Sequence, residues 1–351
     1  MRGAALIAIT VAALVIAPAA AQRTLDVPAT ARWRHAETGV TLPPRLETMA
    51  RLKLTDTTDT EADVTIGYES DDHTLLGTVF IFRSALPNAA IWLDRSDVAI
   101  RQRDLFAGAT PTTPAPVAFV PPFGGAASGL RQTYRTGGGA YRATSVAMIP
   151  LDGWLLAIRL SAKTLDPAML DTAMDRVVAA IGRPAKPVPP QPASTPVADC
   201  ATPLAFGHAK PVKADMGDAL LGSLMGIAAA SEQAKQASQP APVPAATPLC
   251  RDPSSTIRYG IYHGEGTGYR MALGDAGRVV DVSLSLSGQI DAGKAGQMLV
   301  TLDDVDGTIL TFGTFSALPR PAQVMTMIEH GKPIGSRQTR PGRVEFTLPR
   351  K

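Results

Sequence analysis

The chain has 351 residues, enough for two domains of ordinary size, and a formal net charge of +3. Only 5% of the residues are aromatic and the charges nearly balance, which excludes the clustered basic face with stacking rings of a nucleic-acid binder. No stretch reaches the ~20 consecutive apolar residues a bilayer requires, so no transmembrane segment is expected.

At the start, Arg2 precedes an apolar run from Ala4 to Ala17 that only Thr10 interrupts, followed by Pro18 and Ala19-Ala20-Ala21. A basic residue, a short apolar core and small residues at a cleavage site predict a secretory signal peptide over 1–21, cut after Ala21, and a periplasmic or extracellular location. Its removal takes Arg2 and no acid, leaving +2.

From residue 22 the first half alternates weakly at Arg32–His35 and Gly39–Pro44. It then offers three stronger strands, Leu52–Thr55, Asp63–Glu69 and Leu75–Arg83, rich in Val, Ile, Phe and Thr and separated by Asp/Thr turns. The third carries Leu75, Leu76, Val79, Phe80, Ile81 and Phe82 on both faces, the pattern of a central strand. Asn88 is placed to cap a helix that runs to about Phe106, with Ile91, Trp92, Val98 and Leu105 at helical spacing. Strands Leu130–Thr136 and Ala140–Ile149 flank Gly137–Gly139, which predicts a tight hairpin with Tyr134 opposite Arg142 and Arg135 opposite Tyr141. Pro150–Gly153 turns the chain into a strand at Trp154–Leu160. Asp166 then caps a helix with Pro167 first, a stripe of Leu170, Met174, Val177, Val178 and Ile181, and a stop at Gly182 and Pro184.

In the order of these elements, residues 30–182 resemble the PsbP-like α+β sandwiches, in which an antiparallel sheet lies between helices. The resemblance implies a fold and supplies no catalytic residue.

Six prolines between Arg183 and Asp199 predict an extended, polyproline-type linker, because proline removes amide donors and fixes φ. Independently folded units at 22–182 and 200–351, free to move relative to each other, are expected on either side of it. Cys200 and Cys250 are the chain's two cysteines. In an exported protein they predict a disulfide, which in the loop-entropy view stabilises by up to ~4 kcal/mol.

Between the cysteines, Leu220, Leu221, Leu224 and Met225 make one stripe of a predicted helix over 215–235, with Gly222 and Gly226 as a small-residue notch. A flexible Ala/Pro linker, 236–249, follows. The rest reads as a smaller, mostly β unit. Its predicted strands are 256–263, 269–273, 279–286, 298–302, 309–315 and 344–348, and Pro321–His330 is predicted to be a helix. The fold class is therefore α+β: an N-terminal antiparallel sheet with two packing helices, a Pro-rich linker, and a β-rich C-terminal domain with a helical excursion.

Chemical motifs are sparse. Gly288–Ala295 nearly matches a phosphate loop, but Ala295 lacks the hydroxyl that holds magnesium and no long helix follows, so a hairpin loop is expected. Asp303–Gly307 lacks the Glu that a calcium loop needs twelve residues on and reads as an Asp-Gly turn. The histidines at 35, 73, 208, 263 and 330 are scattered, and no serine-hydrolase signature occurs. No cofactor or metal is expected. Two functions remain. One is a non-enzymatic envelope protein that binds a partner, or itself, or a membrane surface through the 215–235 helix face. The other is a periplasmic hydrolase with a site near His263 and Glu265.

Overall fold

The computed structural model describes residues 22–184, 187–212, 248–340 and 343–347. The predicted signal peptide lies outside the described residues, as do residues 236–247 of the second linker and the predicted helix 215–235 with Leu220, Leu221, Gly222, Leu224, Met225 and Gly226. The described chain is α+β, with two large antiparallel sheets.

The first sheet is built from β1 (Met49–Asp56), β2 (Asp63–Ser70), β3 (Leu75–Phe82), β4 (Gly129–Arg135), β5 (Ala143–Leu151) and β6 (Trp154–Ala162). They lie in the order β1-β2-β3-β6-β5-β4, with short strands along both edges, so β3 is central as its two-sided apolar pattern requires. Helices α1 (Ala89–Arg101) and α2 (Pro167–Ala180) cover opposite faces. Because side chains alternate along a strand, Ala143, Ala147 and Ile149 of β5 share a core with Leu170 and Met174 of α2. Val146 and Met148, between them, meet Ile91 and Trp92 of α1. Both helix starts follow the sequence: Asn88 accepts from the amides of Ala90 and Ile91, and Asp166 from that of Met169.

Two local expectations change. The first helix stops at Arg101, and a separate 3-10 turn, Asp104–Phe106, brings Phe106 back against Tyr141 at 5.6 Å between ring centres. The β4–β5 hairpin has a longer loop, with Tyr134 opposite Thr144 and Arg135 opposite Ala143, so the predicted Arg–aromatic pairs do not form. The glycine loop is used for close approach instead of a tight turn. Gly137 and Gly138 donate to the carbonyl of Ala107, and a Cβ on Gly139 would stand 2.2 Å from the carbonyl oxygen of Leu105.

The second sheet is a meander in chain order: β7 (Cys250–Arg251), β8 (Tyr259–His263), β9 (Gly268–Leu273), β10 (Arg278–Leu284), β11 (Met298–Asp303), β12 (Thr308–Phe315), β13 (Gly335–Arg340) and β14 (Arg343–Thr347). The Gly288–Ala295 region is not a plain hairpin loop. A short helix, α3 (Leu286–Ile290), and a 3-10 turn join β10 to β11 there. Helix α4 (Pro321–His330) has the predicted bounds and closes one face over Met271, Val280 and Val300. On the other face Tyr262, Ala272 and Val279 join the core that contains Trp92 and Phe82 of the first half.

Residues 187–198 form no helix or strand and lie against the first half. Ser194 bonds the carbonyls of Ala127 and Ser128 at 2.9 and 2.6 Å, and Val188 and Val197 pack on the two cores of that half. The strap ends at Cys200, which is disulfide-bonded to Cys250 as predicted. Among the described residues, no helix is long and apolar enough to cross a membrane.

Candidate functional site

Helix α1 is amphipathic in an unusual sense: its apolar face belongs to the first core, while Asp94, Arg95, Asp97 and Arg101 point polar groups toward the second half and the strap. Arg95 is 2% exposed. Its guanidinium donates to the carbonyls of Gly274, Thr256 and Ile257 at 2.9, 3.0 and 2.7 Å, which satisfies a charge that would otherwise be costly to bury. Asp94, one residue earlier, accepts from the Tyr262 hydroxyl at 2.6 Å and from Arg251 at 2.5 Å. Burial pushes the Asp94 carboxyl above its usual range, and the Tyr262 hydrogen bond and Arg251 charge oppose that shift. Burial and then the Asp94 charge push the Tyr262 hydroxyl up. Arg251 also holds Asp199 at 2.7 Å, which ties the end of the strap to β7. A second ionic contact between the halves joins Asp275 to Arg159 at 3.5 Å and Arg103 at 3.8 Å.

Beside this network lies a cleft of ≈ 210 Å³. Asp94, Asp97 and Arg101 of α1 form one wall, Gln132 and Tyr134 of β4 the floor, and Pro114, Pro116, Pro196 and Val197 the apolar rim, with Arg251 at one end. The lining thus carries two carboxylates and two guanidiniums. Asp97 and Arg101 are neighbours one turn apart, joined through Nε at 2.9 Å. Tyr134 is 0% exposed, and its hydroxyl is buried beside Asp97. Burial pushes this hydroxyl up, and the Asp97 charge adds to the effect.

His263 lines a shallower cleft of ≈ 280 Å³ with Glu265, Thr267, Arg270, Asp281 and Ser283. Both predicted residues thus line one cleft. His263 turns inward, its Nε2 3.5 Å from Asp252 Oδ2 and 3.9 Å from Cys250 Sγ. Glu265 is exposed on the following turn, and among the described residues it makes no hydrogen bond or ion pair. Asp252 is itself held by Ser254 and the Leu204 amide; these bonds and the nearby imidazole outweigh burial and keep its carboxyl below the usual range.

Asp94, Asp97, Arg101, Tyr134 and Arg251 were not singled out by the sequence. Asp94, Asp97 and Arg101 form a polar stripe on α1, but a solvated helix face gives the same pattern. The chain matches no protein-family model, no curated protein and no solved structure.

Proposed function

We propose that this is an exported, non-enzymatic envelope protein that binds a small zwitterionic ligand, of amino-acid or dipeptide size, in the cleft between α1, β4 and the strap. Export is supported by the apolar run at Ala4–Ala17 and by the disulfide. The observation that carries the binding reading is a cleft lined by two carboxylates and two guanidiniums around the buried Tyr134 hydroxyl. Carboxylates at Asp94 and Asp97 suit an ammonium group, the guanidiniums of Arg101 and Arg251 suit a carboxylate, and the proline rim suits a short apolar side chain. These groups are paired as Asp97–Arg101 and Asp94–Arg251, so a zwitterion would bind by bridging the two ion pairs. Self-association or membrane-surface contact through Leu220, Leu221, Leu224 and Met225 is retained as a separate proposal, tested by deleting 215–235.

Thermal denaturation in millimolar amino acids and dipeptides tests the reading. At least one probe should raise the midpoint of the parent protein, and Tyr134→Phe should weaken its apparent affinity about 5–10-fold, the loss of roughly one hydrogen bond. Equal affinity in Tyr134→Phe, or no shift with any probe, overturns it. Release of free amino acids from dipeptides would favour the hydrolase reading near His263 and Glu265.

A further inference from the structure

We propose that the Cys200–Cys250 disulfide has a functional reduced state, in which Cys200 Sγ, Cys250 Sγ and His263 Nε2 together bind one thiophilic cation such as Zn²⁺.

Three observations lead there. The donor atoms of these residues lie within 4.8 Å of one another, and His263 Nε2 stands 3.9 Å from Cys250 Sγ. Around a tetrahedral zinc with bonds of ~2.0–2.3 Å, neighbouring ligand atoms are roughly 3.3–3.8 Å apart, so the imidazole is near that spacing from Cys250 and must close slightly as the sulfurs separate. Next, the cysteines are held side by side by more than their own bond. The Cys200 amide donates to the Arg251 carbonyl at 3.0 Å, the Arg251 amide donates to the Ala198 carbonyl at 2.8 Å, and the Arg251 side chain grips Asp199. Cys250 and His263 are direct cross-strand partners in β7 and β8. Opening the S–S bond therefore leaves both thiols in place. Finally, the buried carboxylate of Asp252, 3.5 Å from the imidazole nitrogen, adds negative charge next to the site, while all three donor residues remain partly exposed to a reductant and an ion.

The redox step is a thiol–disulfide exchange. A thiolate of a dithiol reductant attacks one sulfur of the pair and forms a mixed disulfide, and its second thiolate then releases the remaining cysteine. Two electrons and two protons pass to Cys200 and Cys250, and the reductant leaves as its own disulfide. Zinc binding next displaces the two thiol protons and leaves the fourth coordination position to water. Because Cys200 ends the strap whose Pro196 and Val197 rim the other cleft, the metal would hold that rim closed when the disulfide cannot.

Full-length protein is reduced with a phosphine, which leaves no competing thiol, desalted without oxygen, and titrated with Zn²⁺ against a chromophoric chelator and with Co²⁺ by absorbance. Circular dichroism monitors the fold throughout. The expected result is one zinc per chain after reduction and none before, thiolate-to-cobalt charge-transfer bands, loss of both in Cys200→Ser, and an affinity at least about tenfold weaker in His263→Gln. Three results overturn the proposal: reduced protein that takes up no more zinc than the Cys200→Ser/Cys250→Ser double variant, binding unchanged in His263→Gln, or loss of the folded spectrum on reduction.

Discussion

Both sheets are antiparallel and both have two faces to cover, but they are covered from different sources. The first carries its own helices, α1 on one face and α2 on the other. The second has α4 on one face, and on the other Tyr262, Ala272 and Val279 use α1, an element that arrives some 160 residues earlier in the chain. The shared contact is mixed: Tyr262, Ala272 and Val279 join the core that holds Trp92, while Arg95, three residues on, is buried against the carbonyls of Gly274, Thr256 and Ile257. The ligand cleft lies along the same helix, where the shared surface ends.

If this sharing is what sets the second sheet apart, Arg95 is its most sensitive point. Arg95→Met keeps the apolar stem but strands three carbonyls in a buried interface, and it should cost about 3–5 kcal/mol in urea denaturation. A loss below about 1 kcal/mol would mean that the contact only fills space.

A smaller effect is expected at Gly260 in β8, where a Cβ would meet Tyr262 Oη at 2.5 Å and Arg95 Cδ at 2.8 Å. Gly260→Ala should cost about 1–3 kcal/mol by overpacking. In a Tyr262→Leu background, which removes both Oη and the ring carbon Cε2 at 2.6 Å, the same change should cost measurably less, so a double-mutant cycle sharpens the assignment. Additive costs would place the strain elsewhere.

The smallest effect belongs to Asp303 of β11, opposite Val279 of β10. Burial pushes the Asp303 carboxyl up to about 6, the Asp281 charge adds to this, and Asp303 Oδ1 has no partner among the described residues. An acid whose folded value is raised binds more protons folded than unfolded, so its contribution to stability falls as pH rises from about 4 through 6. Asp303→Asn should flatten the stability difference between about pH 4.5 and 7.5 by on the order of 1–2 kcal/mol. An unchanged slope would show that the carboxyl is solvated.

Local signals made much of the first sheet legible. Alternating Val64, Ile66 and Tyr68, the two-sided β3 and the Asp166-Pro167 helix start each declare an element within a few residues. The cysteine pair was legible because a chain with two cysteines leaves one pairing. What was not legible depends on distant partners. The β4–β5 register is set by glycines that approach residues 105–107, and β13, Gly-Ser-Arg-Gln-Thr-Arg, has no apolar residue to announce a strand. The cleft joins Asp94, Tyr134 and Arg251 from three separate stretches of sequence. His263 and Glu265 line one cleft, but the Asp252 carboxylate beside His263 comes from another stretch of sequence.

The shared helix is tested most directly by unfolding the full-length protein in urea with one probe in each half. Trp33, Trp92 and Trp154, the chain's three tryptophans, all report on the first half by fluorescence, while amide exchange in β9 and β10 reports on the second. Sharing of α1 predicts one common midpoint for both probes, moved together by Arg95→Met. Two separate midpoints, with Arg95→Met shifting neither or only one, would show that the halves fold as independent units on a proline linker and that α1 does not join them.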